Sequence, residues 1–309
     1  MKARTQIPVA SLAASDADAR PALAGPTTFA GTADALPPYV WFCVSAVFHY
    51  LGPAFAVLLF AEVGVLGMAW LRIATAALIF APLTRPWRVF ASADRAQRLL
   101  LLAFGACLAV MNCSFYLALD RLPISLVAAI EFVGTIAVAL VGLRNRRNFA
   151  ALAVAVVGTL LLIDVKWSSD PVGLFWAFLN GALFVGYIVI GHRVARTGIG
   201  IAGLGAAMAI AFLVVLPVGF REALPAFSSP RLLVAAIGVG VCSSVIPYIC
   251  DQLAMARLPR ASFALMLSLL PLTATLIGVI VLRQVPALSD CLGIALVVTG
   301  VAIHKPARE

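Results

Sequence analysis

The sequence predicts an all-α membrane protein with ten transmembrane helices arranged as two inverted five-helix repeats. Three observations lead to this fold class. The chain is too apolar for a water-soluble domain, its apolar runs have the length of a bilayer span, and one short motif occurs twice. Together they indicate that lipid, rather than water, surrounds most of the chain.

The composition separates this chain from soluble proteins. Of its 309 residues, 63% are hydrophobic and only 11% are charged, and the mean hydropathy is +1.07. A soluble domain is about 45–50% apolar and about 25% charged. The net charge of +9 does not indicate nucleic-acid binding. The basic residues lie in short clusters between apolar runs, as they do in the cytoplasmic loops of membrane proteins.

The apolar runs match the thickness of a bilayer. A hydrocarbon core of about 30 Å requires about 20 helical residues. Breaks that carry Pro, Gly and charge separate the runs, for example TRPWR (84–88) and RNRRN (144–148). On this measure the predicted spans are 39–60, 63–83, 98–119, 123–142, 149–166, 172–192, 199–220, 231–252, 260–282 and 287–304.

The basic residues also predict how the chain is oriented. When loops are assigned alternately to the two sides, sixteen Lys and Arg residues lie on the side of the N-terminus and five lie opposite. Because positively charged loops stay in the cytoplasm, both termini are predicted to be cytoplasmic. The predicted location is a cell inner membrane, crossed several times.

The chain divides into a tail and two halves. Residues 1–36 are rich in Ala, Ser, Asp, Thr and Pro and contain no apolar run long enough for a signal peptide, so they are predicted to form a disordered cytoplasmic tail. LALDRLP (117–123) recurs as LAMARLP (253–259), 136 residues later. The predicted repeats are 37–170 and 171–309. Since five spans is an odd number, the second repeat enters the membrane inverted, which is a transporter architecture.

Three stretches carry a resemblance to a known family. They are VGVLGMAWLRIATAAL (63–78), MNCSFYLALDRLPISLVAAIEFVGTIAVAL (111–140) and SVIPYICDQLAMARLPRASFALMLSLLPLTATLIGVIVL (244–282). They resemble the drug/metabolite transporter superfamily of the EamA type, in its threonine/homoserine exporter branch. The resemblance implies a ten-helix inner-membrane carrier that exports amino acids or related metabolites. The sequence departs from the branch in its second repeat, where Leu270 and Arg283-Gln284 occupy positions that are usually acidic.

Two ionisable residues lie in the middle of predicted spans. Arg72 and Glu131 are each about ten residues, or about 15 Å of helix, from either end of their span. A charge at the bilayer centre costs about 2.5–3.5 kcal/mol and usually faces a partner or a wet cavity. With Asn112, they are predicted to line a central substrate-binding cavity. Arg72 would bind the carboxylate of an amino acid and Glu131 its ammonium group. The alternative is a direct Arg72–Glu131 ion pair that locks two helices.

Other polar residues are assigned with less support. Tyr187, Tyr248 and Asp251 are candidates for a gate or for coupling. For Asp251, however, the favoured interpretation is a solvated helix end that faces Arg257, because polar residues at span ends cost little. Tyr50 lies where it could reach a cavity, although tyrosines in spans usually pack or lie at an interface.

The motifs exclude several chemistries. No HExxH, P-loop, GxSxG or CxxC sequence is present, so no cofactor, metal site or enzymatic activity is expected. The six cysteines are expected to be small buried hydrophobic residues. GIGIAG (198–203) fits a dinucleotide-binding pattern, but no strand precedes it.

The predicted function is secondary export of small polar metabolites by alternating access, with proton exchange as the candidate driving force. The family resemblance implies amino acids such as threonine and homoserine as substrates. The expected partners are such a substrate and the lipid bilayer, and the oligomeric state is left open. The alternatives are an exporter of drugs or other metabolites, a membrane enzyme, and a scaffold that transports nothing.

Overall fold

The computed structural model of the protein describes residues 36–132, 146–164, 170–259, 262–263, 266–267, 270–285 and 287–303. Within these ranges the regular structure is helical and no strand occurs. The predicted tail 1–36, except for its last residue, lies outside the described residues, as does the chain from 133 to 145.

Seven helices are described before residue 170. Two of them, α2 and α4, are short connecting helices, and only the first part of α6 is described. They are α1 (Pro38–Val57), α2 (Phe60–Val63), α3 (Val65–Thr84), α4 (Pro86–Ser92), α5 (Arg95–Leu119), α6 (124–132) and α7 (Arg146–Asp164).

Six more helices are described after residue 170. Between α10 and α11 the chain continues as a π-helical segment, Val241–Val245, so the three pieces form one helical path. The helices are α8 (Pro171–Arg196), α9 (Gly200–Ser228), α10 (Pro230–Gly240), α11 (Ile246–Arg257), α12 (Leu270–Leu282) and α13 (Leu288–Ile303).

Polar caps define where the helices begin. The Asp94 carboxylate accepts from the Gln97 N–H at 2.8 Å, and the Gln97 side chain accepts from the Asp94 N–H, which completes a capping box for α5. Asp170 caps α8 by accepting from the Gly173 N–H at 2.9 Å, and it pairs with Arg121 at 3.1 Å. The Gly173 N–H, and after it Arg121, lowers the pKa of the Asp170 carboxyl below its ordinary value.

The helices are those of a multi-pass membrane protein. Within the described residues, six helical paths are long and apolar enough to cross a bilayer: α1, α3, α5, α8, α9 and the path Pro230–Arg257. Shorter apolar helices lie in α7, α12 and α13. The all-α membrane class is therefore confirmed, whereas the count of ten spans and the inverted repeat stay predictions.

The core forms where the first and second halves pack together. Helix α1 packs against α11 and α12, α3 packs against α9, α5 packs against α8 and α9, and α7 packs against α13. Four tyrosines, Tyr50, Tyr116, Tyr187 and Tyr248, are among the largest fully buried side chains. The centre of the molecule is therefore both aromatic and polar.

The cysteines are less uniformly buried than predicted. Cys107 and Cys250 are buried, Cys113 and Cys242 are half-buried, and Cys43 and Cys291 are exposed. All six are free thiols. The prediction was wrong for the exposed pair because a membrane helix is apolar on its lipid face as well as on its core face, so an apolar run does not distinguish the two.

One close helix contact positions the central site. A Cβ atom on Gly52 of α1 would lie 2.6 Å from the Ser243 backbone nitrogen in the π-helical segment. Real Cβ atoms do not approach a backbone atom so closely. Glycine therefore allows α1 to lie directly against this segment, next to the residues that contact Arg72.

Candidate functional site

Glu131 lies at the centre of the molecule and connects two helices from different halves. Its side chain on α6 is 2% exposed. The Tyr50 hydroxyl of α1 donates to Oε2 at 2.7 Å, and the Asn180 amide of α8 donates to Oε1 at 2.7 Å. Both carboxylate oxygens are therefore satisfied by charge-assisted hydrogen bonds, which makes the buried charge tolerable.

Arg72 is held by the π-helical segment and by a tyrosine ring. Its side chain on α3 is 3% exposed. Nε donates to Ser244 Oγ at 3.0 Å and Nη2 donates to the Ser243 carbonyl at 2.6 Å. The guanidinium carbon lies 5.0 Å from the centroid of the Tyr116 ring, within the range of a cation–π interaction.

The local sequence explains why the Ser243 carbonyl accepts from Arg72. In a regular α-helix this carbonyl would accept from the N–H four residues later, at position 247. That position is Pro247, which has no N–H. A π-helical turn lies just before it, and such turns often occur at functional sites.

Arg72 and Glu131 do not contact each other. Each has its own neutral partners, and the ion pair found within the described residues joins Arg121 to Asp170. The alternative of a direct Arg72–Glu131 lock is therefore wrong in this structure. Neutral hydroxyl, amide and carbonyl groups hold the two charges apart at the same buried centre.

Asn112 is buried and is connected to the charged centre through Tyr248. Its side chain on α5 is 2% exposed, and its Oδ1 accepts from the Tyr248 hydroxyl of α11 at 3.1 Å. Its amide nitrogen donates to the Leu108 carbonyl, one turn earlier, at 2.6 Å. Tyr248 lies within electrostatic range of Arg72, Glu131 and Asp251. The predicted binding residues are thus brought together around Tyr248.

Asp251 corrects an expectation from the sequence. It is 1% exposed and is not a solvated helix end. The Ser45 hydroxyl of α1 donates to Oδ1, and the Tyr187 hydroxyl of α8 donates to Oδ2 at 2.7 Å. Because α11 packs against both α1 and α8, Asp251 faces inward. Arg257 instead donates to the Leu36 carbonyl at 2.9 Å.

An aromatic cluster surrounds Tyr187 and connects the polar groups. The Tyr187 ring stacks on Phe184, with centroids 5.6 Å apart, and on Phe104, with centroids 6.0 Å apart. Its centroid is 5.5 Å from that of Tyr248. Tyr187 therefore connects the Asp251 group to the Tyr248–Asn112 pair through direct ring contact.

Several buried polar atoms at this centre have no hydrogen-bond partner. They include one donor of the Arg72 guanidinium, one amide acceptor, one phenol, and both amide atoms of a glutamine: Arg72 Nη1, Asn180 Oδ1, Tyr116 OH, Gln252 Nε2 and Gln252 Oε1. An unpaired buried polar group costs about 1–3 kcal/mol. Such groups therefore indicate a place where water or a ligand binds.

Sequence reasoning missed some members of this site. Asn180 could have been found by the rule that identified Asn112, since an amide inside an apolar span is costly. Ser45, Ser243 and Ser244 carry no such signal, because a serine in a membrane helix usually bonds to its own backbone. Within the described residues, no three His, Cys, Asp or Glu side chains are placed to hold a metal ion.

Comparison with known proteins gives the family. Residues 171–304 match the EamA-like transporter family. The threonine/homoserine exporter RhtA of Salmonella typhimurium strain LT2 is 33% identical over 236 residues, which are 75% of this chain and 79% of that protein. RhtA of Escherichia coli K12 is 32% identical over the same shares. The uncharacterized transporter YwfM of Bacillus subtilis strain 168 is 26% identical over 213 residues, 66% of this chain and 72% of that protein.

A solved crystal structure shares the fold. It superposes with a TM-score of 0.59 and covers 85% of this chain and 95% of its own, at 18% sequence identity. At this identity the match concerns the fold alone. The similarity to the RhtA exporters extends over most of both chains and agrees with the matched family and with the apolar helices. This chain therefore belongs to the EamA-like transporter family of membrane exporters, in the branch of the RhtA-type proteins.

Proposed function

We propose that this protein exports small zwitterionic metabolites, first of all amino acids of the threonine and homoserine kind, by alternating access. One observation carries the proposal. The buried centre offers an unpaired cationic donor, Arg72 Nη1, and an unpaired acceptor, Asn180 Oδ1, beside the Glu131 carboxylate. A free amino acid carries the complementary groups, a carboxylate and an ammonium.

The geometry supports one role for each side of the centre. Arg72 already uses Nε and Nη2 on the π-helical segment, so its orientation is fixed and Nη1 is left to bind a carboxylate. Asn180 directs its nitrogen to Glu131, which leaves its oxygen as an acceptor for an ammonium group. Tyr248 interacts electrostatically with both charges, and with its hydrogen-bond partner Asn112 it would contact the substrate between them.

Relatives and chemistry support the same class of substrate. The relatives that cover most of this chain are exporters of threonine and homoserine. Both amino acids add one hydroxyl to the zwitterion, a group that the buried polar side chains of this centre can hydrogen-bond. The proposed location is an inner membrane with both termini in the cytoplasm, where the basic loops lie.

The test uses the purified full-length protein in proteoliposomes loaded with unlabelled L-threonine. Labelled L-threonine added outside should enter by exchange. An excess of L-homoserine should compete, because it has the same two charged groups. L-threonine methyl ester and N-acetyl-L-threonine should not compete, because the first lacks the carboxylate charge and the second lacks the ammonium charge.

Two results would contradict the proposal. If no amino acid in a panel is exchanged or accumulated, the protein is not an amino-acid exporter, and a drug, another metabolite or a scaffold role takes its place. If the methyl ester competes as well as L-threonine does, then Arg72 does not bind the substrate's carboxylate. Empty liposomes, and protein with Arg72 and Glu131 both changed to Leu, serve as controls.

A further inference from the structure

We propose that Asp251 is a second functional carboxylate of this site, which carries the proton exchanged for substrate while Glu131 binds the substrate's ammonium group. This inference rests on the proposed function and adds to it the residue that couples transport to a proton gradient.

The two carboxylates have matching surroundings. Glu131 receives a tyrosine hydroxyl from α1 and a smaller polar side chain, Asn180, from α8. Asp251 receives a tyrosine hydroxyl from α8, that of Tyr187, and a smaller polar side chain, Ser45, from α1. Exchanging α1 with α8 therefore converts one arrangement into the other. Each carboxylate connects the same two helices, so the protonation of either affects how those helices are held.

A contact between repeat-related positions supports this exchange. Asn112 and Tyr248, which share a hydrogen bond, are 136 residues apart. This is also the separation between LALDRLP (117–123) and LAMARLP (253–259). Two positions related by a two-fold rotation can touch only next to the rotation axis. The contact therefore locates the proposed axis between Asn112 and Tyr248, with Glu131 and Asp251 within electrostatic range of Tyr248.

The packing of the helices follows the same relation. Exchanging the halves pairs α1 with α8, α3 with α9, and α5 with the path that ends in α11. The contact of α5 with α8 then corresponds to the contact of α11 with α1, and both are present. The contacts α3–α9 and α7–α13 join a helix to its own counterpart and are also present.

The second carboxylate comes from a different helix than the first. The position 136 residues after Glu131 is Leu267, which is buried and apolar. Asp251 correspondingly lies 136 residues after Phe115. Asp251 on α11 therefore hydrogen-bonds to both α1 and α8, which the apolar Leu267 cannot do. The site contains two carboxylates and one arginine, so a bound zwitterion leaves one negative charge, which a proton would neutralise.

Ser45 makes Asp251 the better proton carrier of the two. The single Ser45 hydroxyl hydrogen has two acceptors within reach, Asp251 Oδ1 and the Pro247 carbonyl at 3.3 Å. When a hydronium ion gives its proton to Asp251 and becomes water, the new O–H can donate to Ser45 Oγ while Ser45 donates to Pro247. The reverse step returns the proton to water on the cytoplasmic side. The Asn180 nitrogen that faces Glu131 can only donate.

Gln252 marks a place where water can reach Asp251 and accept its proton. It is 1% exposed, and neither of its amide atoms has a partner. Its nitrogen lies beside Gly191, one turn after Tyr187 on α8, so both Gln252 and Asp251 face that helix. A donor and an acceptor left unpaired at one buried place can hold a water molecule, which usually needs two or more polar partners.

The titratable groups that interact with Asp251 are Tyr187 on α8 and Tyr248 and Cys250 on α11. The helices packed against α11 also carry His49 on α1, one turn after Ser45, and His192 on α8. The α9 stretch 200–216 contains no titratable residue. His192 donates from Nε2 to the Leu258 carbonyl at 3.1 Å.

Asp251→Asn tests the assignment by separating two kinds of transport in proteoliposomes. Exchange of labelled for unlabelled L-threonine needs no net proton movement, whereas accumulation driven by a pH gradient does. The variant should keep exchange at a rate close to wild type and lose gradient-driven accumulation by about a hundredfold, the range of a lost proton-transfer group. Asp120→Asn, the same change at an exposed position, should leave both unchanged. Asp251→Glu should restore part of the accumulation.

The inference is overturned if Asp251→Asn still accumulates L-threonine against a gradient, or if it loses exchange as well. Should that variant fail to fold, Ser45→Ala keeps the acid and should slow accumulation more than exchange; equal slowing counts against the proposal. A separate readout does not depend on the substrate. Infrared difference spectra between acid and alkaline pH should contain a carboxylic-acid band that Asp251→Asn removes and Asp120→Asn keeps. If wild type transports nothing, the proposed function fails, and the infrared band still decides whether Asp251 binds a proton.

Discussion

At the scale of single residues, the centre of this protein keeps a cation and two carboxylates buried without an ion pair between them. Hydroxyl, amide and carbonyl groups hydrogen-bond separately to Arg72, Glu131 and Asp251. Breaking a buried ion pair to admit a ligand would leave uncompensated charges, which is costly. Neutral partners avoid this cost, because the charges remain available to a substrate that brings its own opposite charges.

Arg72→Lys should strongly reduce transport although it keeps the positive charge. Lysine cannot reproduce the planar arrangement in which Nε binds Ser244, Nη2 binds Ser243 and Nη1 stays free. The loss of one well-placed charged hydrogen bond, worth about 1.5–3 kcal/mol, should raise the KM for L-threonine by about tenfold or more. Exchange kinetics in proteoliposomes measure this. Arg196→Lys, at an exposed position, is the matched control, and an unchanged KM in Arg72→Lys would remove Arg72 from the binding site.

Some residues of the site could be predicted from the sequence alone. A charge inside an apolar run is conspicuous, so Arg72 and Glu131 could be located as buried polar residues from the sequence, and the structure places both at the centre. The expected solvent exposure of Asp251 is wrong. The residue lies close to the end of its predicted span, which suggested contact with water, but the packing of α11 against α1 and α8 buries it. Partners such as Ser45 cannot be identified, since the contact joins residues 206 positions apart.

At the scale of elements, the decisive feature is the change from α-helix to π-helix between α10 and α11. It places Ser243 and Ser244 toward Arg72, and Pro247 leaves the Ser243 carbonyl available. The run 231–252 is mostly apolar, and such a pattern does not distinguish α-helical from π-helical bonding. A polar cap such as Asp94 marks where a helix begins. Helix α5 accordingly begins at Arg95, three residues before the predicted span 98–119.

Gly52→Ala should displace the π-helical segment. The added Cβ would meet the Ser243 backbone nitrogen at 2.6 Å, and a backbone atom cannot move aside as a flexible side chain can. We expect a loss of stability of about 1–3 kcal/mol, typical of overpacking, together with weaker L-threonine binding because Arg72 loses its supports. Thermal unfolding in detergent and substrate protection measure both effects. Gly238→Ala on α10, where an added Cβ has nothing within 4 Å, is the control. Equal effects of the two substitutions would refute the packing argument.

At the scale of the whole molecule, helix packing and charge distribution are both consistent with a transporter made of two halves. Helices of one half pack against those of the other around the polar centre. The basic residues accumulate on one predicted side. The proposed alternating access needs a site between two halves that can rock, and the basic loops would set the orientation of the protein in the membrane. Several spans were predictable because lipid requires long apolar helices, whereas the partners across the two halves required the folded structure.

Labelling of single cysteines should place Arg196 and Arg231 on opposite sides of the membrane. Helix α9 lies between these exposed positions and is long enough to cross a bilayer once, and the loop charges predict that Arg196 is cytoplasmic. In a variant without the six native cysteines, a membrane-impermeant maleimide added to cells with an intact inner membrane should label Arg231→Cys and spare Arg196→Cys. Permeabilised cells, in which both must react, provide the control. Asp170→Cys should react like Arg231→Cys, because five predicted spans separate it from the cytoplasmic N-terminus. If the reagent labels Arg196→Cys but not Arg231→Cys, the orientation is the reverse of the predicted one. If only one of Asp170→Cys and Arg231→Cys reacts, the count of ten spans is wrong.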